Sequence, residues 1–202
     1  MRVKLREIKK IAAVFAVFGL FVLIMAGCGD YSSPTASTTA DQDRPDMWNP
    51  QPGDMMNGHE IPLLREGYWE DLYGPTVNPW MMPPRTFRVG PQGGYFVFGQ
   101  HALWVPPGAV TNTVNITLSN ASVTAVALDC YPSPYQFNVP ITLYLSYDGT
   151  QYEGQDNPPL AIMYMTGNNS FEEMPGGVDD DHEIVTGVIT HFSRYIIGAK
   201  TE

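Results

Sequence analysis

A chain of 202 residues with 11 basic and 21 acidic side chains carries a formal charge of −10 at pH 7. That balance excludes a DNA-binding role, because binding there rests on Lys and Arg neutralising phosphates. It also opposes flat association with anionic lipid headgroups. With two cysteines and no CxxC, neither a disulfide framework, a thioredoxin-type redox site nor a zinc ribbon is supported.

Arg2, Lys4, Arg6, Lys9 and Lys10 stand ahead of an uncharged, largely apolar run from Ile11 to Ala26. A positive n-region, an apolar h-region and small residues before a cut describe a secretory signal. The run is shorter than the ~20 residues a membrane-spanning helix needs. Directly after Ala26-Gly27 comes Cys28. The stretch Ile24-Met25-Ala26-Gly27-Cys28 resembles the lipobox of bacterial lipoproteins, although Met25 stands where that pattern usually has Leu. The resemblance implies that residues 1–27 are removed and that the Cys28 thiol carries a covalent lipid as the mature N-terminus. Each buried methylene contributes about 0.8 kcal/mol, so two or three acyl chains hold a protein far more firmly than one. In enteric lipoproteins an Asp directly after the lipidated cysteine favours the inner membrane. Here Gly29 takes that place, so an outer-membrane or cell-surface location is expected. The competing reading, an uncut anchor with an incidental thiol, fits the short run less well.

Loss of residues 1–27 leaves 6 basic and 20 acidic residues, a net charge of −14. It also leaves Cys130 alone, so no internal disulfide forms in the mature chain. Cys130 reads as a half-buried thiol beside the turn Cys130–Pro134, with an intermolecular bridge as the sharper alternative. Tyr31–Ala40 is rich in Ser, Thr and Ala and cannot bury enough surface to offset ordering entropy. Residues 28–60 are therefore expected to form a flexible tether. Residues 61–85 read as an aromatic-rich arm, with a short helix over Leu63–Tyr73 ended by Gly74-Pro75. Trp48, Trp69 and Trp80 either pin this arm on the following domain or offer aromatic platforms to a sugar ligand.

From Thr86 the pattern becomes short strands separated by turns. Val114–Ser119 and Ile141–Leu145 alternate apolar and polar residues, as half-buried strands do. Tyr95–Phe98, Ala102–Val105, Val123–Leu128, Leu160–Met165, Ile184–Thr190 and Tyr195–Ala199 are the other candidates. Gly93-Gly94, Pro106-Pro107-Gly108, Asp148-Gly149, Gly167-Asn168-Asn169 and Gly176-Gly177 supply turns. Eight or nine short strands predict an all-β fold, an antiparallel β-sandwich over residues 86–202.

Four pieces occur in a fixed order: Gly93-Gly94, Pro106-Pro107-Gly108-Ala109, Phe137-Asn138-Val139-Pro140 and His191-Phe192-Ser193. Together they resemble the β-sandwich domain of zonula occludens proteins, netrin receptors and ankyrins (the ZU-five type) over about residues 88–199. The resemblance implies a module that binds protein partners or packs on neighbouring domains. Members in certain death-domain proteins cut themselves within a His-Phe-Ser triplet. By that resemblance Ser193 Oγ would attack the Phe192 carbonyl carbon with His191 as base, and water would hydrolyse the resulting ester. The structural alternative has His191 and Ser193 bonding backbone while Phe192 fills the core.

The acidic run Asp179–Glu183, with Glu172 and Glu173, is a candidate calcium site, but lacks the spaced loop pattern and reads more simply as a solvated hairpin tip. His59, His101 and His182 have no zinc-ligand spacing. No G-x-S-x-G, H-E-x-x-H or phosphate loop is present. The expectation is a non-enzymatic lipoprotein, bound to the membrane through its lipid, whose sandwich binds a protein or glycan partner in the envelope. A self-cleaving domain and a carbohydrate-binding module are the alternatives.

Overall fold

The sandwich core follows from strands whose alternate residues are apolar. A computed structural model of the chain describes residues 48–76, 83–166 and 170–200, all within the unit Asp46–Glu202. Among these described residues thirteen strands form two antiparallel sheets. The strands are β1 (Met55–Met56), β2 (His59–Glu60), β3 (Arg85–Val89), β4 (Gly94–Phe98), β5 (His101–Val105), β6 (Val114–Asn120), β7 (Ala127–Tyr131), β8 (Gln136–Ser146), β9 (Leu160–Met165), β10 (Phe171–Glu173), β11 (Gly176–Asp179), β12 (Ile184–His191) and β13 (Arg194–Lys200). Among the described residues one helix, α1 (Tyr68–Tyr73), lies ahead of β3.

The five-stranded sheet runs β11-β12-β8-β5-β4. In the eight-stranded sheet β13 is central. It pairs with β9 along one side and with β7 and then β2 along the other. Between the sheets lies the main core, including Leu103, Ile116, Leu118, Leu128, Ile141, Leu143, Ile162, Ile189 and Phe192. All but Phe192, which enters from the bend between β12 and β13, come from the apolar set of a strand, so pleat parity decides which of them meet.

The sandwich is as expected, but the segment from Trp48 to Glu60 differs from the tether read there. The β1–β2 hairpin adds to the edge of β13, with Glu60 opposite Ala199. Met56, Ile61, Trp48 and Leu63 cover a second apolar cluster of Ala127, Ala161, Met163 and Ile196 on the outer face of that sheet. Scattered Met and Trp among Pro and Gly gave no strand period, yet these side chains bury enough apolar surface to hold the segment down. Five strands match none of the sequence candidates because their segments are too short or too polar to show a period: β1, β2, β3, β10 and the Gly-Gly strand β11, where Gly176-Gly177 suggests a turn. Phe137–Pro140, expected before a strand, lies inside β8. The strand read at Val123–Leu128 is shifted to Ala127–Tyr131.

Candidate functional site

The four motif pieces singled out in the sequence touch one another in series. Gly93 has φ +69°, and a Cβ there would lie 2.0 Å from the Val105 carbonyl oxygen. Only glycine accepts both that backbone and that approach. The neighbouring Pro106-Pro107-Gly108-Ala109 corner offers its Ala109 carbonyl to the Asn138 N–H at 3.0 Å. Asn138 Nδ2 also donates to Thr111 Oγ1 at 2.9 Å. Phe137 then meets Phe192 edge to face, with ring centroids 4.8 Å apart.

His191-Phe192-Ser193 forms the bend that carries the chain from β12 in one sheet to β13 in the other. Phe192 is fully buried. Its N–H donates to the Tyr135 carbonyl at 3.0 Å, and its carbonyl accepts from the Ser133 hydroxyl at 3.0 Å. The Ser193 carbonyl accepts from the Cys130 N–H at 3.0 Å, and the His191 carbonyl from the Tyr195 hydroxyl at 2.6 Å. This last bond, from a tyrosine early in a strand back to the bend before it, has the geometry of a tyrosine corner. The His191 ring packs edge-on against Tyr164 at 4.6 Å. Its Nδ1 faces the Thr190 hydroxyl at 3.4 Å rather than Ser193. None of the three residues has the left-handed backbone that would mark strain.

Ser133 was not visible as part of this site in the sequence. It sits 59 positions upstream of Phe192 and reaches it only because the turn after β7 folds over the bend. Its hydroxyl would face the developing oxyanion in any attack on the Phe192 carbonyl.

Cys130 differs from the half-buried thiol expected beside a turn. It is an interior residue of β7, 1% exposed. Burial first, and then the neighbouring Asp129 charge, push its thiol well above the usual range. A protonated, enclosed thiol is a poor nucleophile and a poor partner for an intermolecular bridge.

The acidic run caps loop backbone. Asp179 accepts from the His182 N–H at 3.2 Å, Asp180 from the Asn157 N–H at 3.2 Å, and Glu183 from the Gly154 N–H at 3.0 Å. Glu173 faces Lys200 at 2.6 Å and His59 at 3.8 Å. Among the described residues no group of three or more His, Cys, Asp or Glu side chains is arranged to hold a metal ion. The three histidines are separate: His59 faces Glu173, His182 faces Asp179, and His101 Nδ1 accepts from the Ser146 N–H at 3.2 Å.

Of the three tryptophans before the sandwich, Trp48 donates its backbone N–H to Ala121 and packs its ring on Phe171. The Trp69 indole N–H donates to the Val123 carbonyl at 2.8 Å, and its ring stacks on Tyr73. Both rings face the protein. Trp80 and the lipidation candidate Cys28 lie outside the described residues. Among the described residues no helix is long and apolar enough to cross a membrane. No protein-family model matches the chain, and no curated protein is similar to it.

Proposed function

We propose that the chain is an exported bacterial lipoprotein, held on the membrane through acyl chains on Cys28, whose ZU-five-like sandwich works as a non-enzymatic binding or scaffolding module in the cell envelope. The signal sequence and lipobox at residues 1–28 carry the export and anchoring part. The observation that supports the module part is the series of contacts through the four motif pieces, ending at a bend whose three backbone carbonyls and Phe192 N–H are hydrogen-bonded. About twenty residues separate Cys28 from Trp48, a span of at most ~70 Å by chain length. Fractionation of cells expressing the full chain tests the anchor. The wild type is expected with the membranes and is released only by detergent. Cys28→Ala is expected to lose the lipid and to leave the detergent phase. Equal behaviour of the two would overturn the reading.

The second reading, self-cleavage, gains one specific observation: the Ser133 hydroxyl already donates to the Phe192 carbonyl. His191 would take the Ser193 hydroxyl proton as Oγ adds to that carbon and pass it to the departing peptide nitrogen, and water would cleave the ester to a Phe192 carboxylate and a free Ser193 hydroxyl. Denaturing electrophoresis of wild type beside Ser193→Ala separates the readings. Intact chains in both support the binding module, and a short C-terminal fragment lost in the variant supports cleavage.

A further inference from the structure

The chain treats the two outer faces of its sandwich differently. On the eight-stranded sheet the outer apolar cluster is covered by the N-terminal arm. On the five-stranded sheet the register places Tyr95, Trp104, Thr142 and Val188 in one row across β4, β5, β8 and β12. Val97, Ala102, Tyr144 and Thr186 form the next row. Tyr95 is 57% exposed, Val97 43%, Trp104 42% and Val188 41%. The Tyr95 and Tyr144 rings stand 5.8 Å apart, tilted by 58°. Ala102 is buried and Thr142, Tyr144 and Thr186 are half-buried, so the exposed part of the face is Tyr95, Val97, Trp104 and Val188. Several exposed apolar residues on one face mark an interaction surface, whereas single ones do not.

None of these eight positions carries a charge, in a chain of net charge −10. The acidic residue met next in register, Asp179, lies one row further on, opposite Ile184. Charge therefore selects the occupant. A polyanion meets an acidic protein and no cation in these two rows, the Arg85 guanidinium at the β4 edge being held on the Val97 carbonyl at 3.0 Å. A basic partner finds no carboxylate to pair with, and a second copy brings the same negative charge.

We propose that this face binds a neutral polysaccharide, an inference that rests on reading the chain as an envelope binding module and names its ligand. Aromatic rings offer flat apolar surface with a polar edge, which suits the C–H face of a pyranose. The Thr142 hydroxyl and the Tyr95 and Tyr144 phenols supply both donors and acceptors for sugar hydroxyls, while the Thr186 hydroxyl is held on the Gly177 backbone. Because the rings stand on hydrogen-bonded strands, little ordering is left to oppose binding.

The test sediments the full chain, purified with its lipid in detergent micelles, with insoluble cellulose, chitin or β-1,3-glucan. At least one is expected to deplete the protein from solution. Trp104→Ala and Tyr144→Ala are expected to weaken that binding by about tenfold or more, as loss of a central aromatic anchor does. Thr142→Glu, which adds charge to the row without removing packing, is expected to do the same with an unchanged unfolding midpoint. Met55→Ala, on the exposed hairpin of the other sheet, is expected to bind as wild type. Retention on none of the three polymers would overturn the proposal, as would retention that survives both Trp104→Ala and Thr142→Glu. Dimerisation in sedimentation that Thr142→Glu abolishes would overturn it in favour of a second copy. Fractionation of the same cells reads the anchor separately. A membrane-held wild type that binds no polysaccharide removes this inference alone, and a polysaccharide-binding protein found free of membranes removes the anchor alone.

Discussion

The Tyr195 hydroxyl donates to the His191 carbonyl at 2.6 Å across the bend that joins the two sheets. Tyr195 is fully buried, and burial raises its phenol above the ordinary range, which keeps the group a hydrogen-bond donor at neutral pH. Tyr195→Phe keeps the ring packing and removes one intramolecular hydrogen bond. A loss of about 1 kcal/mol in urea unfolding is expected, with the fold retained. No change in midpoint would show that the bond contributes nothing to the bend.

Asp129 and Arg194 stand opposite each other in the β7–β13 register. Their side chains form a two-pronged pair, Nε to Oδ1 at 2.8 Å and Nη2 to Oδ2 at 3.0 Å, with only 6% and 10% exposure. Removing one partner strands a buried charge. Asp129→Ala is expected to cost about 3–5 kcal/mol, while Asp129→Leu combined with Arg194→Met recovers much of that loss. Equal destabilisation by the single and double variants, read from denaturant midpoints, would contradict this.

The sandwich was legible because period-two alternation marks strands such as Val114–Asn120 and β8 irrespective of what they pair with. The arm was not, because Met56 and Ile61 acquire meaning only against Met163 and Ile196, more than 100 positions away. The bend was legible as a motif, yet its partners Ser133 and Tyr135 were not, since no local signal ties them to Phe192. The open face had a weak signal. Tyr95, Trp104 and Tyr144 are aromatic at strand positions where alternation calls for polar residues, and each read merely as strand-favouring.

Acid is expected to destabilise the fold through His101. Burial lowers its pKa from 6.5 to about 4, and its Nδ1 accepts the Ser146 N–H, a role that a proton on Nδ1 abolishes. The unfolded chain binds this proton between those two values and the folded chain does not. Stability is therefore fully present above about 6.5 and is lost as pH falls towards about 4, by up to about 3 kcal/mol. His101→Asn keeps an acceptor and cannot titrate. Its urea midpoint is expected to vary less between pH 7 and pH 4 than that of the wild type, and parallel curves would assign the acid sensitivity elsewhere.

Gly149 turns the chain at φ +81° directly beneath the Tyr68 ring, where a Cβ would lie 2.1 Å from Cδ2. Its carbonyl also accepts the Arg65 N–H at 2.7 Å. Gly149→Ala combines an unfavourable backbone with a clash, so a loss of about 1–3 kcal/mol is expected. Amide exchange should rise first around α1, where Tyr68 is displaced. A uniform rise through the sandwich would show that the arm and core open together.

The intact mass of the full chain, expressed in a bacterial host and extracted from its membranes, tests the central claim most directly. The account predicts a single species running from Cys28 to Glu202, heavier than the polypeptide by its acyl chains. An unmodified chain still bearing residues 1–27 would contradict the anchor, and a break between Phe192 and Ser193 would contradict the intact module.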